Sequence, residues 1–118
     1  VDLFTDDAVC EFGPNYGGDW IAKDAIRENF SKFLDGDGPA YEVLHSVTNP
    51  WIRLIDDTTA NVRWYLHDLR TSEGAENPII LYGIYDDIYK KVFGKSKIHR
   101  TRIDFLWPQL EFYGQRDL

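Results

Sequence analysis

Residues 58–70 read TTANVRWYLHDLR. Taken as a strand, the stretch places Val62, Trp64, Leu66 and Asp68 on one face and Asn61, Arg63, Tyr65 and His67 on the other. Three apolar side chains thus lead straight to a carboxylate. The stretch decides the fold because its neighbours share its texture. Tyr41–Ile55 reads as a long strand before it, broken or bulged at Pro50, since proline has no N–H to give a central ladder. Ile79–Val92 and Lys97–Trp107 read as two more strands after it. The connections are a turn at Asp56 and Asp57, a loop over Thr71–Pro78, and the turn FGKS, residues 93–96. Short links between successive strands imply an antiparallel meander.

Upstream lies the clearest helix. In KDAIRENFSKFL, residues 23–34, Ile26, Phe30, Phe33 and Leu34 form one apolar stripe, and Asp24 suits the positive helix start. The run DGDG, Asp35 to Gly38, ends it as a turn, since it lacks the spaced ligand series and distal Glu of a calcium loop. GPNYGGD, Gly13 to Asp19, is turn chemistry throughout, Ala8–Phe12 a short strand, and Val1–Thr5 the last turn of a helix. The expected fold class is α+β, a cone-shaped barrel in which a strongly curved, mostly antiparallel sheet wraps around helices. The apolar inner wall of such a cone has a mouth where a ligand fits.

Composition narrows the function. With 118 residues, the chain is expected to form one domain, and 43% hydrophobic and 15% aromatic content suffices for a core and a lined pocket. A net charge of −7 speaks against nucleic acid or an anionic membrane as partner. Cys10 is the lone cysteine, so no internal disulfide and no cysteine metal cluster is expected; its neighbours Val9 and Phe12 suggest a buried thiol. No apolar run approaches the ~18 residues of a membrane span, and no signal peptide pattern is read. The expected compartment is a reducing cytoplasm. There is no methionine, even at position 1, which leads to the expectation of residues before Val1.

His45 shares the face of Tyr41, Val43, Val47 and Asn49, so a second polar group interrupts an apolar face. Facing residues in a hairpin have numbers that sum to a constant, and the turn at Asp56 and Asp57 makes His45 and Asp68 such a pair, within about one residue for the Pro50 bulge. Histidine exchanges protons near neutral pH, and a carboxylate beside it orients the ring or serves as the complementary acid or base. A buried Asp68 needs a partner or stays protonated. The pair reads either as a catalytic couple or as a satisfied polar contact in a core. His67 faces the other way, and His99 is expected at the surface or an interface. No metal site, Gly-rich phosphate loop or nucleophile elbow is found in the sequence.

FTDDAVCEFGP, AKDAIRENFSKFL, HSVTNPWIRLIDDTTANVRWYL and YGIYDDIYKKVFGKSKIHRTRIDFLWP together resemble the SnoaL-like proteins of the nuclear transport factor 2 superfamily, over nearly the whole chain. The likeness is greatest to the branch holding the bile acid and scytalone dehydratases, through a histidine before a strand bend and a following strand that ends in an acid. It implies a lyase that eliminates water from a hydrophobic polycyclic or aromatic hydroxyketone without a cofactor. In that reading His45 removes a proton beside a carbonyl and Asp68 assists. Trp64, Leu66, Tyr85, Asn49 and Phe30 would bind the substrate. The resemblance also implies a helix before Val1 carrying a further Tyr or Asp, and a homodimer or homotrimer formed through the outer sheet face, where Tyr65, His67 and Trp51 lie. Arg102 sits near an arginine of the family's last strand, but strand parity turns it outward. The alternatives are ketosteroid-type isomerisation, epoxide hydrolysis, or a non-catalytic ligand-binding or assembly module.

Overall fold

A computed structural model describes residues 2–34, 43–72, 74 and 76–117, without the side chains of Phe33 and Leu34. The elements run β1 (Phe4–Glu11), a 3-10 turn (Pro14–Tyr16), β2 (Trp20–Ile21), α1 (Lys23–Leu34), β3 (Val43–Asp56), β4 (Thr59–Arg70), β5 (Ile79–Val92) and β6 (Lys95–Trp107). The expected turn at Asp35–Gly38 and the first residues of the third strand, Tyr41 and Glu42, lie outside the described residues.

Six strands make one sheet in the order β2-β1-β6-β5-β4-β3. From β3 to β6 it is the expected antiparallel meander. The first strand differs from expectation. Val1–Thr5 was expected as a helical turn, yet Phe4 and Thr5 already belong to β1, which pairs parallel with β6. Ladder bonds to β6, and the burial of Thr5, outweigh any local helical preference. The expected α+β class holds, with a curved, mostly antiparallel sheet packed by α1, the α-helix among the described residues; the sheet is not closed into the expected barrel.

The helix spans the residues its periodicity marks. Its stripe drives Ile26 fully inside, against Ala8, Cys10, Phe12, Trp20, Leu66 and Ile103, with Phe30 packed alongside. Trp20 meets Phe12 and Phe30 edge to face, with ring centroids 5.1 Å apart in both cases. Burial presses the Cys10 thiol up to about 12, as a thiol walled into apolar packing requires. No helix of the described residues is long and apolar enough to cross a membrane.

The outer sheet face carries charge instead of apolar packing. Asp86 and Asp104 are fully buried there. Arg63 pairs with both, Arg102 binds Asp104 through Nε at 2.8 Å, and Arg116 donates to Asp86 at 3.0 Å and to Glu11 at 2.9 Å. Asn61 adds a 2.7 Å bond to Asp86. The chain after β6 folds over this layer. Glu111 exchanges two 2.9 Å backbone bonds with Phe105, Tyr113 covers the Arg102 guanidinium, and Phe112 covers that of Arg63. Buried charges survive only when so paired. Arg102 accordingly points away from the inner face, as parity predicts. His99 departs from its expected surface position: it is the unpaired residue of a β6 bulge, largely buried, with Nδ1 3.0 Å from Thr5 Oγ1.

Candidate active site

His45 and Asp68 face each other directly across the β3–β4 ladder. The register that joins them runs from Val43↔Arg70 to Thr48↔Tyr65, then slips at Asn49 and Pro50 before resuming at Trp51↔Arg63. Asn49 takes the strain of the slip, with φ 53°, a conformation asparagine tolerates better than most residues. The bulge therefore sets which residue of β3 meets Asp68.

Nε2 of His45 stands 3.2 Å from Oδ1 of Asp68. The two side chains are unequal: the imidazole is 53% exposed and the carboxylate 11%. The exposure of His45 follows from its place on β3, an edge strand of the sheet. Burial raises the Asp68 pKa, and the facing His45 charge and hydrogen bond pull the other way. A proton therefore binds Asp68 more readily than an ordinary surface acid.

Two tyrosines stand around this carboxyl. Tyr85 lies on the same sheet face, opposite Trp64 and Ile103, and burial first, then the charge of Asp87, raises its hydroxyl to about 12. Tyr16, in the 3-10 turn, is raised by burial and then by the charge of Asp68. Both hydroxyls stay protonated at neutral pH and can donate. The sequence marks Tyr16 only as part of the turn GPNYGGD. No local pattern marks it, because a loop brings it to the site from the far side of the sheet.

The expected substrate-binding residues are placed unequally. Leu66 is buried in the core two residues from Asp68, and Phe30 packs against that core beside Phe4 and Trp20. Trp64 shares the inner face but commits its indole N–H to Tyr89 Oη at 3.1 Å. Asn49 is not brought to the pair. It lines a groove of about 360 Å³ with Trp51, Tyr65, Ile84 and Phe112, on the outer side. Next to the pair, a groove of about 370 Å³ runs from Tyr16 and Leu81, the latter facing Asp68 across the β4–β5 ladder, to Phe105, Gln109 and Glu111. Among the described residues no three His, Cys, Asp or Glu side chains gather at metal-ligand spacing.

A half-open imidazole against a sheltered acid is a proton-transfer arrangement, and the chain's relatives share the scaffold that builds it. A protein of unknown function with a cystatin-like fold from Nostoc punctiforme superposes with TM-score 0.73 at 20% identity, over 92% of this chain and 74% of that one. A protein from Novosphingobium aromaticivorans, provisionally named a scytalone dehydratase, gives 0.68 at 24%, over 98% and 78%. The association domain of CaMKII from C. elegans gives 0.68 at 16%, over 87% and 75%. No curated protein matches the chain. The family model for the SnoaL-like domain matches residues 1–102, through β1, α1 and the meander as far as Arg102, and the chain belongs to that family.

Proposed function

We propose that the protein is a cofactor-independent lyase that eliminates water from a ring-containing β-hydroxyketone. The observation that carries this reading is the meeting of His45 with a buried Asp68 at 3.2 Å. His45, half exposed, takes the proton on the carbon between carbonyl and hydroxyl. The C–H electrons form the new C=C bond, the C–O bond breaks, and the leaving hydroxide receives the proton from the imidazolium as water. Asp68 holds the transient imidazolium, and the carbonyl of the substrate spreads the carbanion charge. Positioned acid–base groups of this kind contribute about 10²–10⁴ in rate.

The test is turnover of a panel of bicyclic β-hydroxyketones, read by the ultraviolet absorbance of the conjugated product. His45→Ala and Asp68→Asn are each expected to lose at least about 100-fold in kcat. Unchanged turnover in the His45 variant overturns the reading. Likeness to a CaMKII association domain and the exposure of Trp51 and Tyr65 favour a second reading, self-assembly through the outer face. Sedimentation velocity at micromolar concentration separates it, and a monomer counts against it.

A further inference from the structure

The groove beside the pair differs in character from the pair itself. Leu81 and Phe105 give it an apolar wall for a ring, while Asn15, Tyr16, Gln109 and Glu111 supply the polar positions. Among the described residues no lysine, arginine or histidine lines it. The one carboxylic acid that lines it, Glu111, has no ion pair among the described residues, although its backbone is fixed to Phe105 by two 2.9 Å bonds. The adjoining groove carries Asp19, Glu11, which Arg116 already pairs at 2.9 Å, and Arg102. That guanidinium is already held by Asp104. At the inner end of the groove beside the pair, Leu81 faces Asp68 across the β4–β5 ladder. A ligand entering here meets the Glu111 carboxylate and, among the described lining residues, no cation.

Resting on the lyase reading, we infer that this groove selects substrates whose end remote from the reacting ketone is an uncharged or cationic hydrogen-bond donor, a hydroxyl or an amine. Compounds ending in a carboxylate, phosphate or sulfate are rejected. The reason is electrostatic. Two like charges a few ångströms apart at a partly dry site repel by several kcal/mol at the effective dielectric of a protein surface. An anionic ligand also gives up its hydration with no cation in return. A hydroxyl or ammonium loses nothing of the kind, since Glu111 and the Asn15 and Gln109 amides offer acceptors. Ring burial against Leu81 and Phe105 supplies affinity to both classes equally, so the terminal group decides between them.

The experiment is isothermal titration calorimetry with three probes that share one bicyclic ketone, 1-tetralone, and carry a hydroxyl, an aminomethyl or a carboxyl group at position 6. The wild-type chain is expected to bind the hydroxyl and aminomethyl probes at least tenfold tighter than the carboxylate at low salt. Glu111→Gln is expected to narrow that gap at least fivefold, chiefly by tightening the carboxylate. Raising the salt narrows the gap between aminomethyl and carboxylate but leaves the affinity of the hydroxyl probe unchanged. The proposal is overturned if the carboxylate binds as tightly as the others, if Glu111→Gln leaves the gap in place, or if no probe binds. His45→Ala keeps the outcomes separable. A gap that persists in that variant while turnover is unaffected removes the lyase reading alone. A missing gap with turnover lost removes this inference alone.

Discussion

The hydroxyl of Tyr89 donates to Oδ2 of Asp87 at 3.2 Å, and the same hydroxyl receives the indole N–H of Trp64 at 3.1 Å. This chain of bonds lies on the inner face of the sheet, where Asp87 is nearly buried. Burial is the main reason its carboxyl is raised to about 6, and bonds from Thr101 and Tyr89 offset only part of that. Between an ordinary carboxyl pKa near 4 and this value, the folded chain holds a proton that the unfolded chain has released. The contribution to stability is therefore full below about pH 4 and is lost as pH rises through about 6. The whole effect is on the order of 3 kcal/mol. Asp87→Asn, which mimics the protonated acid, is expected to be more stable than wild type at pH 7 by about 1–3 kcal/mol. That advantage shrinks at pH 5. Urea denaturation at the two pH values measures it, and a pH-independent difference would contradict it.

Arg116 is the one cation of the outer layer that comes from the C-terminal segment instead of a strand. It bonds Asp86 Oδ1 and the Asp86 carbonyl and reaches Glu11, while its own carbonyl accepts from Arg53. Arg116→Ala leaves a fully buried carboxylate short of one partner, with Arg63 and Asn61 still in place. The expected loss is about 2–3 kcal/mol, just under the ~3–5 kcal/mol of breaking a buried pair outright, because those partners remain. Arg116→Lys restores only part of it, because an ammonium cannot fork to both acids. A loss below ~0.5 kcal/mol would mean that the strands hold the charges without help from the segment, as for an ordinary surface pair.

Gly83 lies on β5, paired with Phe105 of β6. A Cβ there would lie 2.9 Å from the backbone oxygen of Asp104 and 3.3 Å from Cγ2 of Ile103. The first of these neighbours is main chain and cannot swing aside. Gly83→Ala is expected to cost about 1–3 kcal/mol by overpacking. A thermal melt should show a lower midpoint, and an unchanged one would mean that the two strands part without penalty.

The Cys10 thiol is fully buried and raised to about 12. The thiolate is the reactive form. A disulfide reagent at pH 8 is therefore expected to leave the native chain unmodified over hours and to label it within minutes in urea. Rapid labelling under native conditions would show that β1 opens readily.

Much of this was legible because periodicity is local. The stripe from Ile26 to Phe30 marks α1, and the alternation from Val62 to Asp68 marks β4 with the correct face for each residue. Hairpin arithmetic across one turn then pairs His45 with Asp68. What escaped was set by distance along the chain. Asp86, Asp104, Arg63 and Arg102 look like the solvent-facing charges of any amphipathic strand until residues 111–116 cover them. Tyr16 reaches the site by a turn whose glycines say only that the chain bends. Phe4 and Thr5 become strand because β6 waits beside them, and Trp20 and Ile21 form a strand too short for any alternation to show.

The parallel pairing of β1 with β6 ties together segments far apart in the chain, with Thr5 and His99 94 residues apart. Four strands of the meander assemble through nearest-neighbour hairpins, whereas this one closure must gather nearly the entire polypeptide. Loop entropy delays such a closure until the rest has formed. The seam between β1 and β6 is thus expected to be the last ladder of the sheet to form, and substitutions that weaken it should speed unfolding more than they slow folding.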